Sequence, residues 1–348
     1  MKRGKINHRY FVIALLLLAI FLVSACSTSK SGASAGSAPR KPFIGGSSGL
    51  TITFLKDNPQ PEITDDDTFS FKSIISLKND GEFKIKSTDI KTNLVGFDPS
   101  DFDSDLSQVL NRPLDDSTDL SARRQDAEGN IVDGDTTYVS FPKDTDFRPR
   151  KFSGNTEFTF RADVCYAYQT KANTKMCILR DMINIRQSSV CLPTQSKSIF
   201  ATAAPVQVTN FRQSVIGKDK LSFSFDVSLS GTVDIFQDRS DITPSSGFDS
   251  ACPRDPRKRR EIENKVKVDI ETIPPSDPIV QTPKCGGLDS GNKGIVTLVN
   301  NKRTITCTVD LSPDRTELEK VIEITLNYNV LATKETKVLV KHLADTTT

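Results

Sequence analysis

The chain has 348 residues, with 46 Lys and Arg against 44 Asp and Glu, two His and no Trp. A balance this near neutral, without a broad basic field, excludes nucleic acid as the main partner, and two imidazoles leave little for proton transfer near pH 7. Length alone sets a soft expectation of two folded domains.

Lys2, Arg3, Lys5 and Arg9 precede an apolar run from Phe11 to Val23 with no acidic residue among them. This is the order of charge and hydrophobicity in a secretory signal peptide. The run of about 13 residues is short of the roughly 20 needed for a lasting transmembrane helix. It ends in Val23-Ser24-Ala25-Cys26, which resembles the lipobox of prokaryotic lipoproteins. That resemblance implies loss of residues 1–25 and a diacylglycerol on Cys26, whose two acyl chains suffice for stable anchoring. The competing reading is an uncleaved anchor helix; either way the remainder lies outside, held to the outer face of the membrane. Removal of 1–25 takes four positive charges and leaves a balance of −2. Residues 26–49 are rich in Ser, Gly and Ala and read as a flexible tether with a root-mean-square reach of roughly 25 Å.

From residue 50 the dominant signal is two-residue alternation, the mark of strands with one buried and one wetted face. The first strand candidates are TITFL at 51–55, FSFKSIISL at 69–77 and STDIKTNLV at 87–95. PSDFDSDLSQVL, 99–110, is the one window with helical spacing, an N-capped helix. Leu114–Asp135 is polar and aperiodic and reads as a long loop, followed by TYVSF at 137–141. In EFTFRADVCYAY, Phe158, Phe160, Ala162, Val164, Tyr166 and Tyr168 share one face. The pattern breaks at 193–205 and restarts with PVQVTNF, LSFSFDVSL at 221–229, GTVDIF and KVKVDIETI. It continues with GIVTLV, RTITCTV, VIEITLNYNV (Ile322, Ile324, Leu326, Tyr328 and Val330 on one face) and KVLVKHL. Asn79-Asp80-Gly81, Val132-Asp133-Gly134 and Asn300-Asn301 mark turns. Both halves open with a strand, then a strongly alternating strand and a turn, a weak internal duplication. So little helix rules out Rossmann and TIM architectures, whose parallel sheets need helical crossovers. The expected fold is mainly β: two tandem antiparallel β-sandwiches at 50–200 and 205–343, after the signal peptide and tether.

With Cys26 committed to lipid, six cysteines remain: Cys165, Cys177, Cys191, Cys252, Cys285 and Cys307. An even count outside the cytoplasm favours disulfides over zinc, since there is no C-x-x-C pair. Of the fifteen possible connectivities, Cys177–Cys191 and Cys285–Cys307 bracket short segments. Cys165–Cys252 would then join the two domains.

Asn-Asp-Gly at 79–81, the strand leading into GFDPSDF, YAYQTKANTKMCI followed by Cys191, and PKC…RTITC carry a resemblance. They resemble immunoglobulin-like sandwiches of the CARDB kind and are similar to uncharacterised archaeal surface lipoproteins built from tandem domains of that sort. The resemblance spans most of residues 50–342 and implies a fold and a location, with no known activity. It departs from antibody-type domains in lacking the core Trp.

Signatures of chemistry are sparse. G-x-S-x-G, H-E-x-x-H and P-loop motifs are absent, and after signal removal only His342 remains as an imidazole, read as exposed or a strand filler. A carboxylate pair for glycoside hydrolysis stays open as an alternative, against the lack of Trp for stacking sugars. Asp101, Asp103 and Asp105 have alternate-acid spacing, and Asp65-Asp66-Asp67 is another acidic cluster, but Leu106 stands where an EF-hand needs Gly; helix capping plus a solvated acidic loop is the simpler reading. Arg254, Arg257, Lys258, Arg259 and Arg260 crowd into seven residues. They form either a solvated loop, also open to trypsin-like cleavage, or a grip on an anionic partner, an acidic glycan, lipid head group or protein. The expectation is a non-enzymatic surface protein without cofactor or metal, serving in binding, adhesion or envelope-complex assembly with an unknown surface protein or glycan. The alternatives are an accessory subunit of a secretion or pilus machine, accepting a partner's strand on an open sheet edge, and a sandwich-fold hydrolase.

Overall fold

The computed structural model describes residues 41–66, 69–185, 190–238, 243–275 and 278–344. The signal segment, Cys26, most of the tether and Asp67 lie outside the described residues. In chain order the strands are β1 Leu50–Phe54, β2 Glu62–Thr64, β3 Ser73–Asn79, β4 Ile90–Val95, β5 Arg124–Gln125, β6 Ile131–Val132, β7 Thr136–Phe141 and β8 Thr156–Ile178. Then follow β9 Ile199–Ala201, β10 Val206–Gly217, β11 Lys220–Leu229, β12 Asp234–Gln237, β13 Lys265–Ile273, β14 Lys284–Cys285, β15 Lys293–Thr297, β16 Lys302–Asp310 and β17 Leu318–Lys341. Three short helices, α1 Leu106–Val109, α2 Phe248–Ala251 and α3 Pro256–Ile262, interrupt them.

The central device is the pairing of β8 with β17, antiparallel and unbroken from Leu318↔Ile178 to Val340↔Thr156. At the strand rise of about 3.4 Å per residue this ribbon runs about 75 Å. Along one margin β17 pairs β13, β12 and β2; along the other β8 pairs β4 and β9. Two smaller sheets, β1-β3-β7 and β10-β11-β16-β14, complete the architecture. Their inward residues join the even-numbered face of the ribbon in one continuous core. Ile75, Leu77 and Val139 share it with Phe160, Val164 and Val338, and Phe223, Phe225 and Ile305 share it with Ile322, Ile324 and Leu326.

The expected boundary at 193–205 therefore does not separate two independent sandwiches. Lys41–Thr348 form one compact unit, and strands from both sides of the boundary build the back sheet together. The alternation read in EFTFRADVCYAY continues through Ile178, because Thr170 and Thr174 point inward yet satisfy their hydroxyls on Val206 O (2.7 Å) and Ser198 O (2.9 Å). Inward threonines mask the hydrophobic rhythm without breaking the strand. The duplicated plan is visible, however. Front strands β1 and β3 correspond to β10 and β11, and back strands β4 and β8 to β13 and β17.

Where the halves meet, three buried tyrosines reach from the ribbon to the crossing chain. Tyr166 OH accepts from Leu50 N (3.3 Å), Tyr168 OH donates to Ala203 O (3.1 Å), and Tyr328 OH accepts from Val206 N (3.2 Å) beside Thr170 Oγ1 (2.9 Å). Burial pushes all three phenols up, so they stay neutral donors and acceptors. A Cβ on Gly81 would meet the Tyr168 hydroxyl and lie 2.8 Å from Ser48 O, which is why the turn carries glycine there.

Three further expectations need correction. The tether does not extend to 49: Ile44 N and Gly45 N donate to the Glu82 carboxylate (2.9 and 2.8 Å), which also accepts from Ala203 N (2.7 Å). The chain is thus docked from about residue 43. The helix at 99–110 is split into a 3-10 turn at Pro99–Phe102 and α1, each capped by an aspartate, Asp98 on Ser100 N and Asp105 on Ser107 N. Asp103 between them is left-handed (φ 51°) and stops the first turn. The 114–135 loop carries the β5–β6 hairpin.

Candidate functional site

The reverse face of the ribbon is mostly polar, interrupted by Cys177 and Val321 toward one end and by Cys165 near its middle. Cys165 points there and is bonded to Cys252, and around the pair Phe236, Phe248, Ala251, Ile262 and Leu331 form a small second core. This core seats α2 and α3. The basic run is helical rather than a loop because Asp255 caps it, accepting from Arg257 N at 2.8 Å, and Pro256 occupies the first helical position.

The five cations expected to act together divide into two groups. Arg254 and Arg259 are turned to structural use. Arg254 lies over the Phe248 ring (5.4 Å) and donates to Asp163 Oδ2 at 3.1 Å. Asp163, 3% exposed at its side chain, is also gripped by Arg161 through Nε (2.9 Å) and Nη2 (3.2 Å). Arg259 covers the Phe236 ring (5.2 Å) and pairs with Asp234 and Glu263, both at 2.8 Å. Burial works against its charge, but these two carboxylates outweigh burial and hold the guanidinium more firmly protonated than usual. Arg257, Lys258 and Arg260 are exposed and form no ion pair among the described residues. Arg257 and Arg260, three apart, share a helix face, with Glu261 as the acidic neighbour. This outward triad can engage carboxylate or phosphate oxygens, and its backbone is fixed by the disulfide beneath.

All six thiols of the described chain are oxidised: Cys165–Cys252, Cys177–Cys191 and Cys285–Cys307. These are the pairings expected from spacing, and they overturn the zinc alternative. Among the described residues no group of three or more His, Cys, Asp or Glu is placed to hold a metal ion. Asp101 pairs with Arg150 (2.6 Å) and Asp105 caps α1.

His342 is neither free nor a mere filler. Its Nδ1 lies 2.7 Å from Oδ2 of Asp65, which is completely buried and also accepts from Leu343 N (2.8 Å) and Phe152 N (3.0 Å). Burial alone would raise the Asp65 carboxyl, but the Leu343 N–H, the His342 ring and the Phe152 N–H together pull it to about 2. No hydroxyl or thiol among the described residues hydrogen-bonds the other ring nitrogen. The arrangement ties the C-terminal end of β17 to the segment after β2. Sequence reading missed Asp65, Glu82 and Asp163 as organising residues: apart from Arg161 beside Asp163, their partners lie far along the chain or arrive as backbone N–H groups.

No protein-family model matches the chain, and no curated protein matches it in sequence. Among solved structures it is similar to a serine-rich repeat adhesion glycoprotein (Srr1) from Streptococcus agalactiae, at 11% identity over 85% of this chain and 96% of that one. The TM-score is 0.15, too low to carry any inference about either fold detail or role.

Proposed function

We propose that the protein is a lipid-anchored, extracytoplasmic, non-enzymatic surface protein that binds an acidic partner through Arg257, Lys258 and Arg260. The observation that carries this is the contrast within one short basic run: two arginines are spent on neighbouring carboxylates and aromatic rings, and three cations are left outward on a disulfide-fixed base. A mount of this kind loses little conformational entropy on binding, so its charge is available for recognition. Three disulfides suit an oxidising compartment, in keeping with the lipobox-like sequence at Cys26. No helix among the described residues is long and apolar enough to cross a membrane.

Two experiments test this reading. A photo-crosslinking residue at position 261, used on intact cells, is expected to capture a partner whose yield falls at least tenfold in R257Q/K258Q/R260Q and declines with added salt; a yield indifferent to both refutes the site. Cys26→Ala is expected to release the protein or leave its precursor uncut, and normal processing with undiminished membrane retention refutes the anchor.

A further inference from the structure

A groove of about 520 Å³ opens between the docked N-terminal segment and the β5–β6 hairpin, remote in sequence from the basic helix. Its volume falls within the range of small-ligand sites. Its lining combines the apolar Pro42, Phe43 and Ile44 with the cations Lys84, Arg123, Arg124 and Lys171. The only carboxylate lining it among the described residues, Glu82, is already occupied by three backbone N–H groups.

The four cations are not neutralised equally. Lys84 and Lys171 have surface partners, Asp119 at 3.0 Å and Glu323 at 3.6 Å, of the exposed kind that contributes little and yields readily to a competing anion. Arg124 is exposed and has no ion pair among the described residues. Arg123 is held in place yet under-used. Its Nη1 makes one long bond to Asp80 O (3.4 Å). Its Nε is buried without a hydrogen-bond partner, with Asp133 at 3.8 Å. A guanidinium with idle donors, beside a second one that makes no ion pair among the described residues, is arranged for a carboxylate.

We infer that this groove binds a carboxylated sugar, one or two uronic acid units, with the carboxylate on Arg123 and Arg124 and a C–H face of the ring on Phe43 and Pro42. A compact phosphate fits less well, because the cations come from three separate segments, Lys84 ahead of β4, Arg123 and Arg124 at the start of β5, and Lys171 on β8. The site goes beyond the helix patch and does not depend on it. It adds a small-molecule specificity to a surface protein.

The test is calorimetric titration of the full chain with tetragalacturonate, with maltotetraose as the uncharged counterpart and sodium phosphate as the compact anion. Binding of tetragalacturonate is expected, at least tenfold tighter than maltotetraose, weakened by salt and not displaced by equimolar phosphate. Arg124→Gln, at an exposed position that leaves folding intact, is expected to weaken it at least fivefold, and R123Q/R124Q at least tenfold with an unchanged unfolding midpoint. R257Q/K258Q/R260Q is expected to bind tetragalacturonate as wild type does. Equal binding of the neutral sugar, displacement by phosphate, or indifference to both arginine variants overturns the inference. Loss of binding in the helix variant overturns it too, whereas failure of the helix crosslink alone leaves the groove standing.

Discussion

Removing the Cys165–Cys252 bond tests whether the basic helix rests on a bolted base. The bond spans 87 residues of chain. Loop-closure entropy puts its contribution at about 4.6 kcal/mol, against about 3 kcal/mol for Cys177–Cys191, which spans 14. The shorter bridge lies inside the longer loop and reduces its effective length to about 74 residues, but the dependence is logarithmic and the correction is only about 0.1 kcal/mol. Both sulfurs of the long bridge are fully buried against Phe248, Ile262 and Leu331, so Cys165→Ala/Cys252→Ala also opens space, adding about 1 kcal/mol. The double variant should lose about 5.5 kcal/mol in urea unfolding, and Cys177→Ala/Cys191→Ala noticeably less. Hydrogen exchange should accelerate in 248–262 while β8 remains protected. If the inner pair costs as much as the outer one, or amides of α3 exchange no faster, the fixed-base account is wrong.

Two further outcomes follow from the buried polar contacts. Asp65 has a folded pKa of about 2, below the unfolded value of about 3.9. Its stabilisation is thus complete above about pH 4 and disappears as pH falls toward 2; Asp65→Asn should lower the melting temperature at pH 7 and flatten its decline over that window, and parallel curves for the two proteins refute the assignment. Tyr328→Phe leaves Val206 N without its hydroxyl acceptor and takes from Thr170 Oγ1 one of its two hydrogen bonds, the other, to Val206 O, being kept. A cost of about 1–3 kcal/mol is expected by chemical denaturation, and a loss below about 0.5 kcal/mol counts against a structural role for the hydroxyl.

Much of the mainly β fold was legible because apolar residues alternate wherever one face is buried. LSFSFDVSL and VIEITLNYNV fall on β11 and β17 with the expected faces inward. The disulfide pairing was legible too, since two bridges close short segments and the third is what remains. The length of β8 was hidden by Thr170, Ala172 and Thr174, inward positions that are small or hydroxylated. The helix at 256–262 was hidden by its charge, although Asp255-Pro256 announced its start. The cationic groove left no sequence signal. Lys84, Arg123 and Lys171 come together only when the β5–β6 hairpin, the docked segment at 43–45 and β8 converge, and Glu82 reads as an ordinary turn residue until three distant amides find it.

The 23-residue register between β8 and β17 also constrains the history of the chain. A half excised at the junction would carry a bare edge the full length of a strand, and the natural filler for that edge is another copy of the same half. The plan is that of a symmetric pair of subunits written as one polypeptide. In such a plan neither half can be lost or exchanged without stranding the long strand edge of the other.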